Sequence, residues 1–138
     1  MTNNHKILII TDDTGTMRKM AQDIAGVFGK PPLENYRVSA VDAEKFSATD
    51  LLPAAAFFIG CNEPDAFSYL YIEELFNHIN LAGRPCSVFS ANAQAIKYLS
   101  KLLHASEAAV YKPLQVTDGK TDEKVLTNWI LNTLKKGE

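Results

Sequence analysis

Ile7-Leu-Ile-Ile-Thr-Asp-Asp-Thr-Gly-Thr-Met-Arg-Lys-Met-Ala21 changes its periodicity halfway along. The first four residues are a β-rich apolar run without alternation, as expected of a strand buried on both faces. Thr11-Asp-Asp-Thr-Gly15 supplies polar turn residues, with Gly15 free to take positive φ. A helix is predicted from Thr14 to Phe28, because Met17, Met20, Ala21, Ile24, Ala25 and Phe28 recur at three- and four-residue intervals. Asp12, Asp13 and Thr14 are candidate caps, and Gly29 with Pro31-Pro32 ends the helix.

The alternation continues to the far end. Tyr36-Arg-Val-Ser-Ala-Val41 alternates and is expected at a sheet edge. Ser47-Ala-Thr-Asp-Leu-Leu52 reads as one helical turn closed before Pro53. Ala54-Ala-Ala-Phe-Phe-Ile59 is a buried strand stopped by Gly60. Residues 66–80 read as a helix with Leu70, Ile72, Leu75, Phe76 and Ile79 inward. Pro85–Phe89 is a fourth strand, Asn92–His104 a helix and Ala108–Tyr111 a fifth strand. The last helix, Thr121–Lys136, opens on an acidic turn and closes on Lys135-Lys136, as the helix dipole favours. Five strands alternating with helices require parallel pairing through right-handed crossovers, hence an α/β sandwich of three layers.

At 138 residues the chain is expected to form a single domain, 1–138, with a core that needs no staples. Hydrophobic residues at 46% and charged residues at 22% argue against disorder. Fourteen Lys and Arg against sixteen Asp and Glu leave −2, which excludes a broad basic field for nucleic acid. Cys61 and Cys86 sit in no CxxC or zinc-ligand spacing and read as small buried hydrophobes. Met1–Lys6 lacks a signal-peptide pattern, and no stretch approaches the ~18 apolar residues of a membrane span. A soluble cytoplasmic protein with no membrane partner is expected.

Ile10-Thr-Asp-Asp-Thr-Gly-Thr-Met-Arg-Lys-Met-Ala21 resembles the phosphate loop of flavodoxins, Ser/Thr-x-Thr-Gly-x-Thr before a basic residue and a helix. Backbone N–H groups and hydroxyls at a helix N-terminus cradle the FMN phosphate there. Three further stretches are similar to that family, in order. Asp50–Gly60 looks like its acidic-Leu turn into strand three, and Leu81–Phe89 like its Leu-x-Gly-Lys turn into strand four. Lys112–Glu123 looks like its closing Pro-Leu-x-Val and Pro-Asp-Glu. The resemblance implies a flavodoxin-like fold with a five-stranded sheet of order 2-1-3-4-5, FMN as cofactor, and electron transfer. It places Thr11, Thr14, Gly15 and Thr16 on the phosphate, with Asp12 in the same loop and the ring across the Asn62 and Asn92 loops. The flavin carries the electrons, so neither a catalytic side chain nor a metal is expected.

Two departures fall inside that loop. Placing Thr14-Gly15 on the pattern puts Asp12 where a phosphate-binding Ser or Thr belongs, and Met17 where the last Thr belongs. A carboxylate beside a phosphate dianion costs affinity, on the order of a few kcal/mol. Met17 also removes a hydroxyl donor. The loops Cys61–Ala66 and Ser90–Ala95 contain none of the aromatic residues that stack on the flavin in that family. Phe67, Tyr69 and Tyr71 follow at helical spacing and read as core or surface. A formal charge of −2 also leaves little field for steering partners, whereas carrier flavodoxins are typically more acidic. The expectation is an FMN-binding electron-transfer module, or a diverged form with weakened or lost FMN binding. Its partners would be a flavin or phosphate-bearing ligand, or another protein.

The alternative is a non-redox signalling or interaction module. Asp12-Asp13, Ser90 and Lys112-Pro113 resemble the acidic pair, the Ser/Thr and the Lys-Pro of receiver domains, which share the sheet order. Cys61 stands at the phosphoacceptor position, and a thiol does not replace the carboxylate that forms an acyl phosphate. A pseudo-receiver is therefore the form this reading takes. His5, His78 and His104 have no ligand spacing, Gly15 alone makes no dinucleotide fingerprint, and GxSxG, HExxH and the P-loop Lys are absent. Trp129 is expected to anchor the core, and Lys97, Lys101, Lys135 and Lys136 to be solvated. A carrier or binding module is expected rather than a catalyst.

Overall fold

The structure, a computed structural model, describes residues 6–12, 15–31, 33–43, 45, 54–62, 73–74, 76, 81, 83–116 and 121–136. In chain order these form β1 (Lys6–Thr11), α1 (Gly15–Val27), β2 (Arg37–Asp42), β3 (Ala56–Gly60) and β4 (Pro85–Ser90). They are followed by α2 (Ala93–Ala105), β5 (Ala109–Val110), β6 (Leu114–Gln115) and α3 (Glu123–Lys136). The sheet runs β2-β1-β3-β4-β5, all pairs parallel, as the sequence predicts.

Side-chain alternation along the central strands sorts the core into two layers. Ile7 and Ile9 of β1 pack with Met17, Met20 and Ile24 of α1 and with Trp129 and Ile130 of α3. Leu8 and Ile10 face the other way, onto the layer holding Leu99 and Leu103 of α2. Both faces being covered, β3 is buried at every position, and the Ile7–Ile10 run needs no polar alternation. Phe58 packs against Trp129 with ring centroids 4.9 Å apart, while its neighbour Phe57 turns to Phe76 at 6.0 Å. β2, at the edge, keeps exposed and half-buried residues throughout.

The fifth strand differs from the expectation of one run over Ala108–Tyr111. It is two short segments, β5 and β6, which pair with opposite ends of β4. Pro113 has no N–H for a ladder, and the carbonyls before it bond to side chains. Ser87 Oγ donates to Tyr111 O at 3.1 Å and Lys112 O at 2.8 Å, and Trp129 Nε1 donates to Lys112 O at 3.0 Å. Trp129 is thus a core anchor that also holds the strand break. The predicted turn over Ser47–Leu52 lies outside the described residues. Of the predicted helix over 66–80, only Glu73, Glu74 and Phe76 are described; they are helical, with Phe76 buried. Among the described residues, no helix is long and apolar enough to cross a membrane.

Candidate functional site

The three central strands end level. Thr11 pairs with Gly60, and Gly60 with Phe89, so the residues that follow each strand meet at the C-terminal edge of the sheet. Open parallel sheets bind ligands beyond this edge, where the strand order reverses. Asp12, Asn62 and Asn92 all lie here.

Hydrogen bonds join the three loops to one another. Asp12 Oδ2 accepts from the backbone N–H of Asn62 at 2.7 Å, across fifty residues of sequence. Asn92 Nδ2 donates to the Asn62 carbonyl at 3.0 Å. Ser90 Oγ donates to the Cys61 carbonyl at 2.6 Å and accepts from the Asn92 N–H at 3.0 Å. The Asn92 side chain caps α2, its Oδ1 accepting from Gln94 N–H at 2.9 Å. Both ends of that amide are committed within the protein.

Asp12 is not the solvated turn residue its neighbours in sequence suggest: it is 6% exposed. A buried carboxylate needs donors, and the Asn62 N–H is one that only tertiary structure supplies. Beside it, Cys61 is buried, and burial, reinforced by the Asp12 charge, pushes its thiol up to about 12. Burial alone pushes Cys86 up to about 12. Neither is a thiolate nucleophile near neutrality.

Met17 is fully buried. A Cβ built on Gly60 would lie 2.6 Å from Met17 Cε and 2.6 Å from the Phe89 carbonyl, so the methionine lies against bare backbone at the end of β3. The position aligned with the family's last Thr therefore points into the core, not toward a phosphate. Gly15 also departs from the expectation. It is the first residue of α1 and is not among the glycines of positive φ. Gly15 and Thr16 are exposed, and a Cβ on Gly15 would meet nothing within 4 Å, so the start of α1 is open. Thr11 is buried at the end of β1. Thr14 and Asp13 lie outside the described residues.

Sequence reasoning missed the roles of Ser90 and Gly60. Ser90 entered only as a receiver-type residue, yet its hydroxyl ties two loops together; a buried Ser at a strand end was the available signal. Gly60 was read as a strand stop, whereas its missing side chain makes room for Met17. Among the described residues, no group of three His, Cys, Asp or Glu side chains is arranged to hold a metal ion.

The residues present fit FMN incompletely. An open helix start with an exposed hydroxyl at Thr16 suits a phosphate. The buried Asp12 carboxylate opposes it, and the backbone and side-chain donors of the Asn62 and Asn92 loops named above are already engaged.

No protein-family model matches this chain. No curated protein sequence matches it either. Solved structures do. Oxidised flavodoxin 2 from Bacillus cereus is similar with a TM-score of 0.73 at 20% identity, over 95% of this chain and 99% of that one. The flavodoxin of Streptococcus pneumoniae TIGR4 is similar at 0.72 and 14% identity, over 95% of each chain. A flavodoxin from the domain Archaea is similar at 0.71 and 16% identity, over 96% of this chain and 98% of the other. Likeness over nearly the whole of both chains, at such low identity, is a likeness of architecture: this chain has the flavodoxin-like fold.

Proposed function

We propose that the chain is a diverged flavodoxin-type module in which the FMN site survives in weakened form. The observation that carries this reading is the buried Asp12 carboxylate at the mouth of α1, held by the Asn62 N–H. At about 5 Å and an effective dielectric near 20, each unit of phosphate charge loses about 3 kcal/mol against it. The open start of α1, with Gly15 and Thr16 exposed, supports the place of the phosphate. Thr11, Thr14, Gly15 and Thr16 would hold it, and the Asn62 and Asn92 loops would lie beneath the ring. A bound flavin supplies one-electron chemistry; the chain's part is to bind, orient and shield it.

Titration of the protein into FMN, followed by quenching of flavin fluorescence and by thermal shift, tests the reading. At about 10 µM of each, neither signal should change, and both should emerge only at much higher concentration. Stoichiometric quenching in the micromolar range would overturn it. The closure of the three loops on one another favours a second reading, a ligand-free interaction module. In that case even millimolar FMN leaves the melting curve unmoved. Acetyl phosphate with Mg²⁺ should label no aspartate under either reading, because Cys61 occupies the acceptor position.

A further inference from the structure

The Cys61–Asn62 peptide is the first beyond the ladder of β3, whose register with β1 and β4 ends at Gly60. Gly60 is wedged, since a Cβ there would lie 2.6 Å from both Met17 Cε and the Phe89 carbonyl. Any adjustment at this end of β3 therefore begins at the Cys61–Asn62 peptide. Both polar groups of that peptide are taken by side chains from neighbouring strand ends. Its carbonyl accepts from Ser90 Oγ at 2.6 Å, and its N–H donates to Asp12 Oδ2 at 2.7 Å. The next carbonyl, that of Asn62, accepts from Asn92 Nδ2 at 3.0 Å. Three consecutive backbone groups are thus held by three side chains.

Ser90 stands at the centre of this arrangement. It is fully buried, and its oxygen accepts from the Asn92 N–H at 3.0 Å while its hydroxyl donates to Cys61. A hydroxyl that accepts and donates at once strengthens both bonds, because each polarises the other. Asn62 and Asn92 are only half-buried, so water or a ligand can take over their groups once the bonds part. Coupled through Ser90, the four bonds form and break as one unit.

We propose that Ser90 is the positioning residue of a latch on the crevice. It holds the Cys61–Asn62 peptide on the protein's own groups, and a flavin gains that N–H and carbonyl only when the latch opens. This rests on the flavin reading of the crevice and adds a second cause of weak binding to the Asp12 charge. The apparent affinity is the intrinsic affinity multiplied by the fraction of molecules with the latch open. Four coupled bonds keep that fraction small. Asp12 and Ser90 act on one peptide by different means. The carboxylate also opposes a phosphate, whereas the serine carries no charge and bears equally on a flavin with or without one.

Amide hydrogen exchange of the ¹⁵N-labelled full chain, with titration of the protein into FMN and into riboflavin, tests this. In Ser90→Ala the Asn62 and Asn92 amides should exchange faster by similar factors, about tenfold or more. Both flavins should bind about tenfold more tightly, by the same factor. Asn92→Asp keeps an oxygen for the Gln94 N–H, and so the cap of α2, but loses the donor to Asn62. There too the Asn62 amide should exchange faster, while the melting temperature holds. The latch is overturned if Asn62 exchanges in both variants as in the parent, or if Asn92 keeps its protection when Asn62 loses it in Ser90→Ala. It is also overturned if Ser90→Ala binds either flavin no more tightly than the parent. Measurable but equal affinities defeat the latch alone. Binding of neither flavin by parent or variant at about 1 mM protein defeats the flavin reading with it.

Discussion

Restoring threonine at position 17 is the obvious repair of the phosphate loop, and the structure predicts that it damages the protein. Met17 is fully buried among Ile9, Phe58 and Phe89, with its Cε against the backbone of Gly60. Truncating a buried methionine to alanine costs about 2–5 kcal/mol. Threonine returns one methyl, about 0.8 kcal/mol, but brings a hydroxyl into an apolar site, at about 1–3 kcal/mol unless it bonds back along the helix. With the hydroxyl bonded back to a carbonyl of its own helix, which removes that last penalty, the net cost of Met17→Thr is about 3 kcal/mol. For 138 residues the unfolding entropy is about 290 cal/mol/K, so the melting temperature should fall by about 10 °C. Met17→Leu, which nearly conserves volume, should cost less than about 1.5 kcal/mol. Thermal melts by circular dichroism and urea titrations measure both. A loss below about 1 kcal/mol for Met17→Thr, or FMN binding gained by that change alone, would refute the placement of this side chain in the core.

Two other outcomes follow from the geometry. Both buried thiols are raised from 9.0 to about 12, so as pH climbs the unfolded chain gives up these protons first. Stability from this source is flat below about pH 9, then falls toward pH 12 by about 1.4 kcal/mol per pH unit per thiol. Urea midpoints measured between about pH 8 and 10.5 should show the decline, and Cys61→Ser with Cys86→Ser should flatten it. Glu107 holds φ 62 just past α2, where Glu107 N–H donates to His104 O at 3.0 Å and Ala108 N–H to Leu103 O at 3.4 Å. Glu107→Gly should therefore stabilise the protein by about 0.5–1 kcal/mol, read as a raised melting temperature; a loss of stability would contradict the left-handed cap.

The order of strands and helices was legible because the apolar runs are buried on both faces and the helices repeat every three to four residues. Those patterns are local, and burial reinforces them. The division of the fifth strand was not legible. Pro113 marks the place, but the break depends on Ser87 and Trp129, which belong to distant elements and supply donors to the interrupted carbonyls. Asp12 illustrates the same limit at the site. Between Thr11 and Asp13 it reads as a polar turn, whereas it accepts from the backbone N–H of Asn62 and is itself buried. Met17 carried two conflicting signals, a place in the phosphate-loop pattern and a place in the helix's apolar repeat, and the repeat prevailed. Gly15 was read for backbone freedom, yet it simply begins a helix.

The most direct measurement is the FMN affinity of the parent protein and of Asp12→Asn, compared at one ionic strength. Asparagine keeps an oxygen to accept the Asn62 N–H and removes only the charge. With about 3 kcal/mol of repulsion per phosphate charge, reduced by screening, Asp12→Asn should bind FMN at least about 100-fold more tightly than the parent. Equal affinities, or micromolar binding by the parent, would contradict a flavin site weakened by Asp12.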